Sequence, residues 1–284
     1  MGLAIWTTFR AVTNTINEQI TALREYELET ARFAAITGQA LGEARQQWDK
    51  LAQVAVQQGV TPMGAAQTIR IAVQMEGTEE AKQKFVETVT KLEELTGVSS
   101  DKISKSISSA LRQAGKGLEA APDIGDLIAS SLQRIPASNL ESVVAALSEA
   151  PALARLWGTS FEEAFNIIIE GASRVQESPE AIATSFQRLS QGLNDIAQGG
   201  EKAFERKEAL RAFGIEVEGA DKRLRPIPEI LRDVAKILPT LSAPRQQALL
   251  EVVAGGNVRP EQLRNLIGGL EAFTVDLSTV IEKL

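Results

Sequence analysis

The sequence predicts an almost entirely α-helical protein: a multi-helix array of short amphipathic helices with a long N-terminal helix and one small β-hairpin near residues 214–225. Three observations carry that expectation. Helix start and stop signals recur at short intervals, and apolar residues between them return every three or four positions, so each segment has one face to bury. Strand signals are nearly absent. Aromatic residues are only 5% of the 284 while hydrophobic residues are 44%. Packing must therefore rest on Ala, Leu, Ile and Val brought close by small residues, which favours helix against helix. Three parts are expected: 1–58, 59–198 and 199–284.

The first part contains no proline, and Gly2, Gly38 and Gly42 are its only glycines, which predicts one long helix. Trp6, Phe9, Thr13, Ile16, Ile20 and Leu23 alternate spacings of three and four, the 3.5-residue repeat of a coiled-coil seam. The repeat runs for fewer than three heptads, and Glu27 then falls on it. Two readings stand side by side, an oligomer seam and an amphipathic helix packing on its own domain.

In the middle part, Ser138 with Glu141 and Ser160 with Glu163 have capping-box spacing, where hydroxyl and carboxylate each satisfy a backbone N–H at a helix start. Thr61-Pro62 and Ser178-Pro179 put proline at the first helical position, where its missing N–H costs nothing. Gly59, Gly77, Gly97, Gly158 and Gly199 supply stops, giving helices of about four turns. Phe161, Phe165, Ile168 and Ile169 form one predicted buried face, and Ile182, Phe186, Leu189 and Leu193 another. Gly59-Val60-Thr61, Gly97-Val98-Ser99 and Gly158-Thr159-Ser160 share a pattern but open units of unequal length. They therefore read as a C-cap followed by an N-cap rather than as a solenoid repeat.

In the distal part, Gly214-Ile215-Glu216-Val217, a polar turn and Leu224-Arg225 form the one strand-like stretch. Ile215 and Val217 point to one side. Pro226 and Pro228 set the start of the next helix, whose apolar face is Ile230, Leu231, Val234, Ile237 and Leu238.

Function classes narrow by exclusion. The net charge of −7 lacks the positive field that drives binding to phosphates, so specific nucleic-acid binding is not expected. Cys and His are both absent, which removes thiolate metal sites, the commonest metal ligand and the commonest neutral-pH base. No stretch approaches the roughly 18 apolar residues of a membrane helix, and Met1 to Arg10 resembles no signal, so a soluble chain is expected. The acidic pairs Glu79-Glu80, Glu93-Glu94 and Glu162-Glu163 lie near helix ends, where they complement the dipole. Adjacent helical residues point about 100° apart, a poor geometry for paired carboxylates. No enzyme activity, cofactor or catalytic residue is expected. A helical adaptor or effector is the alternative, with Arg206, Lys207, Arg211, Lys222, Arg223 and Arg225 as a basic surface. Glu201, Glu205, Glu208, Glu216, Glu218 and Asp221 are interleaved with those bases, which favours a solvated mixed face.

Leu210-Arg211-Ala212-Phe213-Gly214-Ile215-Glu216-Val217, then Ala220-Asp221-Lys222-Arg223-Leu224-Arg225-Pro226-Ile227, Glu229-Ile230-Leu231 and the pair Gly255-Gly256 resemble the core region of phage tail tape-measure proteins. The likeness extends more loosely over residues 50–270. Where that family has glycine after the aspartate of the turn, this chain has Lys222, so the turn is expected at Gly219 or as a looser loop. The resemblance implies a protein that lies in the tail tube, sets tail length and is ejected ahead of the DNA. Fully helical, 284 residues would span about 430 Å. The many breaks instead suggest a folded portion of a tape measure that packs at the tail tip or baseplate hub. Implied partners are further copies of the chain, as a trimer in preference to a hexamer, with tube, tip and hub proteins and tail assembly chaperones. The implied location is the virion, in the tail lumen or at its tip, after assembly in the host cytoplasm. Peptidoglycan hydrolase domains, which many tape measures carry, have no counterpart segment here.

Overall fold

The computed structural model describes residues 20–21, 23–61, 64–175, 177–199, 201–219, 223–255, 258–260, 263–264 and 267. Among them the fold is all-α, with no named strand. The first helix, α1, covers 23–37 and stops at Gly38, whose φ of +67° a continuing helix cannot adopt. Among the described residues the expected long N-terminal helix is therefore broken: α2 (Leu41–Gln57) starts afresh after Ala40 in extended conformation. Next come α3 (Ala66–Gln74), α4 (Glu79–Thr96), α5 (Ser100–Ala114), α6 (Ala121–Ser131), α7 (Leu140–Trp157), α8 (Phe161–Val175), α9 (Pro179–Gln198), α10 (Glu201–Ala212), α11 (Ile227–Ile237) and α12 (Ala243–Ala254). The chain divides into two compact units, one of Met1–Ser108 with Lys116–Gly125 and the other of Ser109–Gly115 with Asp126–Leu284.

In the first unit, α2, α3 and α4 pack against one another, and the short turn Leu118–Ala120 packs on α4. The buried residues of α2, Ala44, Trp48, Leu51, Ala52 and Ala55, follow the three-and-four spacing that puts them on one face. Phe33 of α1 meets Trp48 edge-on, with centroids 5.8 Å apart and planes at 83°. Tyr26 donates to Asp49, and the buried Glu29 pairs with Arg70 of α3, so α1 is tied down by polar as well as apolar contacts. Thr78 caps α4 by accepting from the Ala81 N–H (3.1 Å), and Gly97, at φ +68°, closes it. A Cβ on Gly125 would stand 2.5 Å from Thr88 Cγ2, so glycine lets α6 approach α4 closely.

In the second unit, α7, α8 and α9 pack pairwise. No residue of α8 whose burial is described is exposed, and the consecutive Ile167, Ile168 and Ile169 are all buried, so α8 is covered on more than one face. Ser160 caps α8, accepting from the Glu163 N–H at 3.0 Å, and Ser178 caps α9, accepting from the Ala181 N–H at 3.3 Å with Pro179 behind it. Both predicted apolar faces, on α8 and α9, are buried. The predicted cap at Ser138 is corrected: Ser138 lies inside a 3₁₀ turn, Ala137–Asn139, that follows Pro136, and α7 begins after Asn139 without a side-chain cap. Pro151 sits inside α7, where its missing N–H leaves the Leu147 carbonyl without a helical donor. One residue along, the Ser148 carbonyl accepts from Gln113 (3.4 Å). Trp157 ends α7 with its Nε1–H donating to Ser190 Oγ (2.7 Å) and its ring edge-on to Phe186, centroids 5.2 Å apart. Beyond these helices, α10 packs on α9 and α12, α12 on α9, and α11 on α7.

The expected β-hairpin is also corrected. Residues 214–219 and 223–225 form a single antiparallel bridge, Glu218 to Leu224, held by Gly219 N–H to Arg223 O (2.8 Å) and Arg225 N–H to Val217 O (2.9 Å). The next ladder donor would be the N–H of Ile227, but Ile227 is already the first residue of α11, so pairing ends where it starts.

Candidate functional site

The motif-bearing stretch from α10 to the end of α12 carries a set of polar contacts that join separate helices. Leu210 is buried in the last turn of α10, and Gly214, at φ +81°, closes that helix with its N–H on Arg211 O (2.8 Å) while the Ile215 N–H reaches Leu210 O (3.0 Å). Beyond it Ile215 and Val217 are buried and Glu216 faces solvent, the alternation read from the sequence. Pro226 precedes α11, whose Ile227, Pro228, Ile230, Leu231, Val234 and Ala235 are buried.

Arg206 joins three helices. Its Nε and Nη2 donate to Val252 O (3.1 and 3.0 Å), Nη2 also to Val253 O (3.3 Å), and Nη1 to Gly192 O of α9 (3.2 Å). The two valine carbonyls belong to the last turn of α12, where carbonyls lack helical donors and a positive charge suits the dipole. Burial pulls the guanidinium below its ordinary pKa, with Asp195 acting in the opposite direction. Gly255 ends α12 at φ +58°, and a Cβ there would collide with the Arg206 guanidinium. The motif glycine thus closes a helix and leaves room for the arginine beside it. Sequence reasoning gave Arg206 only a place in a basic surface, since no local pattern points to acceptors in α12.

Three other bases of that surface are engaged with nearby acceptors. Lys207 pairs with Glu218 (2.6 Å), Arg211 with Glu208 (3.0 Å) and Glu216 (3.2 Å), and Arg225 with Asp233 (2.9 Å) and the Glu216 carbonyl (2.8 Å). These pairs make a mixed face rather than a basic groove. Among the acidic pairs, Glu79 contacts Lys82 and Gln47, Glu80 contacts Lys84, and Glu163 contacts Arg232 of α11 at 3.7 Å. Among the described residues no group of three carboxylates is placed to hold a metal, and no helix is long and apolar enough to cross a membrane.

Leu224 and Arg225 are partly buried and Pro226 is exposed. Asp221, Lys222 and Gly256 lie outside the described residues, as do Trp6, Phe9, Thr13 and Ile16 of the N-terminal seam. The last two seam positions, Ile20 and Leu23, are 44% and 59% exposed.

None of the curated proteins and none of the solved structures compared with the chain matches it. A family model described as phage-related minor tail protein matches residues 45–255, well over half of the sequence, from α2 to the glycine beside Arg206. The chain belongs to the phage-related minor tail protein family.

Proposed function

We propose that this member of a phage tail family acts as a tape-measure protein, setting tail length and packing at the tail tip or baseplate hub. Family membership makes it a structural component of a phage tail, and so of the virion. The observation that supports the finer reading is the tape-measure-like motif from Leu210 to Gly255, which lies inside the matched span and whose Gly255 sits against Arg206. Helices of 9 to 20 residues, several closed by left-handed glycines, favour a folded portion of a tape measure over an extended rod. Self-association belongs to the same proposal, as a trimer in preference to a hexamer, through the seam that ends at the exposed Ile20 and Leu23. Tube, tip and hub proteins and assembly chaperones are its other partners, with the tail lumen or tip as its place; no catalytic role and no cofactor is assigned.

Light scattering of the purified chain, alone and mixed with tail tip or hub proteins of the same phage, tests this reading. A stable complex with those proteins supports it. Binding only to an unrelated partner would favour the helical adaptor or effector instead.

A further inference from the structure

We propose that α10 is a pinned strap: its middle stretch, residues 203–209, opens locally from α9 and α12 when the Arg206 pin releases, while the helices beneath stay folded. Little apolar burial holds this stretch. Between residues 203 and 212 Leu210 alone is buried, and the largest side chain of the helix, Phe204, points outward at 66% exposure. Opening therefore takes no fully buried apolar side chain of the stretch itself into water, a condition that favours a low-energy local unit. The far end is anchored differently, because Leu210, Ile215 and Val217 are all buried around the Gly214 turn. One end of the strap is held by apolar packing; the stretch before it is held by the Arg206 guanidinium and by the partly exposed Lys207–Glu218 pair.

That guanidinium is built to hold and to let go. Its four contacts go to main-chain carbonyls of Gly192, Val252 and Val253, so release leaves no buried carboxylate behind. The carbonyls of α12 it caps lie at a helix end, where water can replace it. Gly255 keeps the seat open, because any side chain there would displace the arginine.

Hydrogen–deuterium exchange of the full chain, read by mass spectrometry on peptides from each helix, tests the strap. In the wild type, α10 peptides should exchange well ahead of those from α7, α8 and α9. Arg206→Met should speed exchange in α10 and the last turn of α12 by about 10-fold or more, the loss of charged hydrogen bonds, with α7–α9 and the first unit unchanged. Arg206→Lys, which keeps the charge but not the fork, should fall between. Wild-type α10 protected as strongly as α7–α9 would overturn the proposal, as would an Arg206→Met effect spread evenly over the chain. The wild-type comparison decides even if the Met variant fails to fold.

Discussion

Trp48 and Trp157 are both fully buried, and a single hydrogen bond separates their circumstances. Trp157 donates to Ser190 Oγ at 2.7 Å, whereas the Trp48 Nε1–H has no acceptor among the described protein atoms. Ser190→Ala should therefore strand a buried donor and cost about 1–3 kcal/mol. Trp157→Phe loses ring packing and the bond together, for about 1–3 kcal/mol. Combining them should fall short of the sum by about 1–2 kcal/mol, since a phenyl ring leaves no N–H to strand. Trp48→Phe loses comparable packing but removes an unpaired N–H, so it should be milder than Trp157→Phe by about 1–3 kcal/mol. Urea unfolding followed by far-UV circular dichroism, on the four variants and the parent, measures these differences. Strict additivity of the Trp157 and Ser190 changes, or a Trp48→Phe cost equal to that of Trp157→Phe, would refute the reasoning.

Other substitutions test other parts of the fold. Gly97→Ala and Gly255→Ala face the same left-handed backbone, at φ +68° and +58°, but only Gly255 has a neighbour in the way of a Cβ. Gly97→Ala should cost about 1–2 kcal/mol and Gly255→Ala measurably more, with the melting temperatures of the two variants in that order. Ile230, 0% exposed on α11, should tolerate aspartate poorly, losing about 4 kcal/mol or more; cooperative melting at the wild-type temperature would show the site is not core. The Glu79 carboxyl sits below its ordinary value: burial alone would raise it, and donation from Lys82 and Gln47 outweighs that. Such a group stabilises above the unfolded carboxylate range, and the contribution fades as pH falls through the folded value. Acid titration of stability should thus be shallower in Glu79→Gln, and an unchanged slope would show that the carboxylate carries none of it.

What was legible in the sequence was local. Ser160 and Ser178 cap the helices they were expected to cap, because hydroxyl and N–H lie three residues apart. The faces of α8 and α9 followed from spacing alone. Local ambiguity hid the break at Gly38, since one glycine inside an apolar period is compatible with a continuing helix. The start of α7 was placed one residue early at Ser138 because Pro136 opens a 3₁₀ turn that absorbs it. The strand-like alternation of Ile215 and Val217 proved to be burial on one side of an extended turn, too short for a ladder. What could not be read was tertiary: Arg206 finds Val252 46 residues along the chain, and only the folded unit brings them together. Gly255 was recognised as part of a motif, but its use as a seat for Arg206 depends on that same meeting.

Tail length tests the central proposal most directly. Particles from the phage with this coding region removed in frame can be measured by negative-stain electron microscopy, with the gene restored in trans as the control. A tape-measure role predicts absent tails or a broad spread of lengths, returned to one length by the restored gene. Tails of uniform wild-type length without this chain would contradict it.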